Sequence, residues 1–207
     1  MSALEVYRDD GPLAVLAGRR LGGVRGGALA LTLTAMLPLA AALGAALAGT
    51  AQATTRMSLG LATVWFVIIA GASSGASHTG RFAWLVPPLL RASEYGLLLG
   101  VTVLAGAPVW ACYLLVAVLA FHHYDTVYRL RIQGTAPPRW VRTATGGWDT
   151  RMLAAYLLLL AGVLGAGFAA AAGALGVIFV TESTVGWLQF RPAGPPALYD
   201  DEEDEDA

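Results

Sequence analysis

Apolar residues along this chain gather into long blocks separated by short polar punctuation. The blocks cover residues 28–49, 57–77, 87–106 and 108–129, followed by a tract from Met152 to Phe190 about twice the length of one block. Crossing hydrocarbon takes about 20 mainly apolar helical residues, because backbone N–H and C=O groups have no water to pair with there. The pattern therefore predicts an all-α fold, a polytopic membrane helical bundle of about six transmembrane helices. The double tract divides near Gly167 to Gly173 into spans 150–168 and 171–190. Pro38 falls inside the first block, where a membrane helix accepts it as a kink, whereas Pro87 and Pro88 fit the first turn of the third helix. The fourth block turns polar from His122 to Arg131.

Three segments lie outside these spans: residues 1–27, a loop at 132–147 with Pro137-Pro138, Arg139-Trp140 and Gly146-Gly147, and the end of the chain, 192–207. Residues 1–27 lack a short apolar core followed by a small-residue cleavage site, so no cleaved leader is expected. The last segment carries seven consecutive acids, Asp200 to Asp206, and reads as a disordered, solvated acidic tail.

Composition agrees with a membrane protein. The chain is 57% hydrophobic and 13% charged with a mean hydropathy of +0.62, against about a quarter charged residues in soluble domains. Removing the seven tail acids turns the formal charge of −1 into +6, so the body of the chain is basic. All 13 basic residues are arginine, and with the N-terminus inside, Arg56 alone falls clearly on the outer side, which gives an N-in/C-in topology in the cytoplasmic membrane. One cysteine, Cys112, excludes an internal disulfide and a thiolate metal cluster.

Charges within or beside such helices cost about 2.5–3.5 kcal/mol each on insertion scales, so they are normally paired, solvated or functional. Arg91 and Glu94 share a face of the third helix, and His122, Asp125 and Arg129 share one at the inner end of the fourth. Trp148, Asp149 and Arg151 open the fifth span, and Glu182, with Ser183, has no basic neighbour in its own helix. All belong to the cytoplasmic half, which predicts a polar cavity open to the cytoplasm. Arg91, Arg129, Arg131 and Arg151 are candidate anion contacts there, with Trp148 and Asp149 beside them. Glu94, His122, Asp125 and Glu182 are candidate acid/base groups. Asp149 also suits an N-cap. Adjacent His122 and His123 leave a divalent metal open without a recognisable third ligand. The spacing Gly71 to Gly75 fits close helix packing.

Several stretches carry a resemblance over residues 10 to 190: Asp10-Gly-Pro-Leu-Ala14, Trp84-Leu-Val-Pro-Pro-Leu-Leu-Arg91 with Glu94-Tyr95, His122-His-Tyr-Asp-Thr-Val-Tyr-Arg-Leu-Arg131, Gly147-Trp-Asp149 with Arg151, and Glu182-Ser183. Together they resemble an actinobacterial membrane-domain family of unassigned activity, found C-terminal to nucleotidyltransferase and CDP-alcohol phosphatidyltransferase modules. The resemblance implies phospholipid metabolism and a CDP-alcohol phosphatidyltransferase-type partner. The four-aspartate metal motif of those transferases is absent here, so a two-metal mechanism is not expected.

These readings converge on a cavity that recognises or transfers a phosphorylated or diphosphate-bearing lipid or alcohol, with no role in nucleic-acid binding. The competing expectations are a non-enzymatic membrane scaffold or accessory subunit, and a small proton-coupled transporter built on Glu94 or Glu182.

Overall fold

The computed structural model describes residues 3–22, 27–49, 52–76 and 81–190. Arg25, Arg191 and the acidic run 200–206 lie outside them. The described residues are helical, with no strand among them. In chain order the helices are α1 (Ala3–Arg8), α2 (Pro12–Leu21), α3 (Ala28–Leu47), α4 (Gln52–Ala72), α5 (Val86–Ala105), α6 (Val109–Ile132), α7 (Arg139–Thr145), α8 (Gly147–Leu160) and α9 (Leu164–Gln189). Single 3-10 turns at Ser73–Gly75 and Ala83–Leu85 extend the end of α4 and precede α5.

Four of these segments are long and apolar enough to cross a membrane: Ala28–Leu47, Thr54–Gly75, Ala83–Ala105 and Leu164–Gln189. Six were expected, and the two that fall short do so for different reasons. The last turns of α6 carry Asp125, Arg129 and Arg131. Helix α8 has 14 residues, about 21 Å at 1.5 Å per residue, less than the roughly 30 Å of hydrocarbon. The double tract breaks earlier than its glycines at 167 and 173 indicated: α8 ends at Leu160 and Gly162 turns the chain with φ +70°, a left-handed conformation that glycine adopts without a Cβ clash. Gly167 and Gly173 are helical residues of α9.

The segment before the first long helix, expected to be a plain cytoplasmic stretch, forms α1 and α2. Helix α2 packs its small residues on the end of α4: Gly71 meets Ala14 and Ala17, and Gly75 meets Gly18 and Gly22. Such contacts bring backbones close without a polar group having to be desolvated. The loop expected at 132–147 likewise contains a helix, α7, which begins after Pro138 and ends at Gly146.

The polarity of the bundle is inverted relative to a soluble protein. Leu37, Leu61 and Val177 expose 71%, 67% and 69% of their surface, whereas Arg8, Glu94 and Asp149 expose none. A continuous apolar core, including Phe66, Leu90, Leu97, Leu119, Met152 and Phe179, still lies between the helices. The buried charges are concentrated at one end of the bundle, where α1, α2, the start of α5, the end of α6, α7 and the start of α8 meet.

Candidate functional site

That end is built around a close approach of two irregular segments, residues 9–11 and 146–147. A Cβ on Gly11 would run into the Gly146 carbonyl oxygen, and one on Gly147 would run into the Gly11 nitrogen. Asp9 itself is held at φ +50°, which an aspartate tolerates better than most residues. Backbone removed from water must be paired within the protein, and here it is. The Asp149 carboxylate accepts the Gly11, Leu13 and Ala14 N–H groups at 2.7, 2.8 and 2.9 Å. The Trp148 N–H donates to the Asp9 carbonyl at 3.3 Å. Asp149 is therefore the N-terminal cap of α2, supplied from another helix, and its carboxylate is fully engaged in that role.

Around this junction runs a chain of buried ion pairs. Arg151 donates from Nε to Glu94 at 2.6 Å and from Nη2 to Asp9 at 2.8 Å. Arg91 donates to the other Glu94 oxygen at 3.0 Å and to the carbonyls of Tyr7 and Arg8 at 3.2 and 2.6 Å. Arg8 binds Asp10 at 2.6 Å and also Ser73, while Trp148 donates its indole N–H to Asp10 at 2.9 Å. His123 is held between Tyr95, 2.7 Å from Nδ1, and Asp9, 3.4 Å from Nε2.

Burial alone would raise the Asp9 pKa, but the Arg151 guanidinium, the His123 contact and Arg91 outweigh it and hold the carboxyl well below its usual range. A depressed folded-state pKa adds stability that is complete above the unfolded value of about 3.9 and is lost as pH falls through the folded value. Detergent-solubilised protein is thus expected to keep this contribution from pH 7 to pH 5 and to lose it only in stronger acid. The thermal midpoint measured from pH 7 to pH 2.5, against Asp9→Asn, checks this. A wild-type loss centred above pH 5 and absent from the variant contradicts it.

A second buried cluster joins α6 to α9. Arg129 places Nη1 and Nη2 2.9 and 2.8 Å from one Glu182 oxygen and lies 3.7 Å from Asp125. Asp125 also accepts Ser183 Oγ at 2.9 Å and Trp187 Nε1 at 3.0 Å. The cation that Glu182 lacked in its own helix is therefore Arg129. Arg131, the neighbouring candidate anion contact, is exposed on the outer surface.

Between α1, α5, α6 and α7 lies a cavity of about 620 Å³, within the usual range of small-ligand sites. Its wall includes Val6, Tyr7, Trp84, Pro87, Val127 and Val141, and its charged or ionisable lining is Asp9, Arg91, His122, His123, Arg139 and Arg142. Among the proposed site residues, Arg91 and His122 face this cavity. The His122 ring lies flat on Phe179, with centroids 3.9 Å apart at 11°. Glu94 and Arg151 lie behind the wall, and Asp125, Arg129 and Glu182 are engaged in the α6–α9 cluster. Trp148 packs edge-on against Phe66, and Asp149 caps α2.

Sequence reading took His123 only as a metal candidate beside His122 and missed Asp9, Arg139 and Arg142 as site residues. The last two fall in the segment expected to be a loop; the signal available was their spacing of three, which puts both on one face once that segment is helical. Among the described residues, no group of three or more His, Cys, Asp or Glu side chains is arranged to hold a metal ion. A second cavity, of about 540 Å³, lies at the opposite end beside Trp110 and Leu164, and Arg56 is its one charged lining residue among those described.

The fold and site define a helical protein with four helices able to cross a membrane and an arginine-bearing cavity at one end. The chain belongs to DUF5941, a family of unknown function whose model matches residues 1–205. No match was found among curated proteins or among solved structures.

Proposed function

We propose that this chain is a multi-pass protein of the cytoplasmic membrane whose cavity recognises a phosphorylated or diphosphate-bearing lipid or alcohol. It acts as a head-group transferase or as an accessory subunit beside a CDP-alcohol phosphatidyltransferase-type enzyme. The accessory role fits the missing aspartate motif. In this reading α6 and α8 complete six crossings, both termini are cytoplasmic and the source is actinobacterial. Arginine placement supports the topology, and Tyr156 of α8 supports the crossing by donating to the Arg56 carbonyl at the far end of α4, at 3.0 Å.

The observation that carries the proposal is the state of Arg139 and Arg142. Asp9 and Glu94 balance Arg91 and Arg151. The two guanidiniums of α7 line the cavity, and among the described residues neither has a carboxylate partner. Two uncompensated cations, each able to offer paired N–H donors, match a phosphate dianion or a diphosphate. Arg139→Gln with Arg142→Gln is expected to reduce phosphate-bearing molecules that co-purify in mild detergent by about ten-fold or more, the size of a lost charge-assisted contact. Mass spectrometry of the extracts from equal amounts of folded protein reads this directly, and equal recovery from both proteins removes the proposal.

One observation favours the scaffold reading: Glu94, Asp125, Asp149 and Glu182 are all already engaged by arginines, side-chain donors or backbone. A scaffold predicts that alanine at these positions lowers abundance, while Arg139→Gln with Arg142→Gln changes nothing.

A further inference from the structure

We infer that the ligand of this cavity is a membrane lipid that enters sideways from the bilayer, its phosphate on Arg139 and Arg142 and its chain along the outer face of α6. This rests on the phosphate-recognition reading above and narrows it to one source of phosphate.

The cavity is divided in character. Arg139 and Arg142, without a carboxylate partner among the described residues, sit on α7, while the lining also includes Trp84, Pro88 and Val127, all exposed to the exterior. A hydroxyl turned toward Val6, Pro87, Pro88 or Val127 would meet no side-chain hydrogen-bond partner, although Tyr7, His122, His123 and Thr126 line other parts of the wall, and an unpaired polar group is costly. An acyl chain has no such demand.

The apolar rim also continues beyond the cavity. Tyr113, Ala117, Ala120, Tyr124 and Val127 are all exposed, and their spacing of four and three places them on one face of α6. The lane runs over residues 113–127, about 21 Å of helix, more than the roughly 15 Å depth of one leaflet's chains. Ala117 and Ala120 are the small residues between Tyr113 and Tyr124, and the lane ends at Val127, a cavity residue. A lipid with its head on α7 thus has an uninterrupted apolar surface for its tail.

The test uses the full chain in phosphatidylcholine nanodiscs with a phosphatidic acid probe carrying a photoreactive group in its acyl chain. A phosphatidylcholine probe with the same chain is the control, and glycerol 3-phosphate is the soluble ligand. Phosphatidic acid is expected to label Tyr113 to Val127 above the control, and Arg139→Gln with Arg142→Gln to cut that excess by about ten-fold. Ala120→Trp, on the lane but outside the cavity wall, is expected to lower lipid labelling and leave glycerol 3-phosphate binding intact, which separates loss of the lane from loss of the fold. Arginine-dependent binding of glycerol 3-phosphate with no excess lipid labelling overturns lipid entry and leaves phosphate recognition standing. Failure of both probes on folded protein overturns the two together.

Discussion

Arg151→Ala is expected to be the most damaging single substitution at the buried end of the bundle, costing about 3–5 kcal/mol, the usual loss when one partner of a buried ion pair is removed. Arg151 is the hub of that end. Its guanidinium holds Glu94 on α5 and Asp9 before α2, and Glu94 is wholly buried. Without it, Arg91 must serve both carboxylates, at 3.0 Å from Glu94 but 3.9 Å from Asp9. Membrane abundance and an SDS unfolding titration measure the loss. Arg151→Lys is expected to recover only part of it, because one ammonium cannot reproduce two differently directed N–H donors. A wild-type titration for Arg151→Ala contradicts this account of the junction.

The second large effect lies in the α6–α9 cluster. Glu182→Ala leaves Arg129 buried with only the longer 3.7 Å contact to Asp125, and is expected to cost about 3 kcal/mol or more. Replacing both residues by methionine is expected to recover most of that loss, since a buried pair exchanged for packed apolar groups is often neutral or stabilising. Unfolding titrations of Glu182→Met, Arg129→Met and the double methionine variant form the cycle. If Glu182→Ala unfolds like wild type, or the double variant equals the sum of the singles, Glu182 and Arg129 are not the coupled pair described here.

The contrast between these residues explains what was legible beforehand. Arg91 and Glu94 lie three apart on one helix, so local geometry alone pairs them. Glu182 was recognisable as a charge in need of a partner, but Arg129 is 53 residues away, and only the packing of α6 on α9 brings them together. Asp149 was ambiguous for the same reason: a cap was expected, but the helix it caps is α2, 135 residues or more earlier in the chain. Asp9 gave no signal, since a charged triplet before a short helix reads as a solvated surface. The break at Gly162 was hidden because an apolar tract rich in glycine carries no polar marker of where it turns. Long apolar blocks, by contrast, report their lengths directly, which is why the all-helical architecture and its first three long apolar helices were readable.

The central proposal is that Arg139 and Arg142 form an anion site with no carboxylate partner among the described residues. Isothermal titration of the detergent-solubilised full chain with dodecyl phosphate tests this most directly, with Arg131→Gln, exposed like Arg139 but outside the cavity, as the control. Wild type and Arg131→Gln are expected to bind alike, and Arg139→Gln with Arg142→Gln to bind about ten- to a hundred-fold more weakly. Equal affinity in all three proteins would contradict the account.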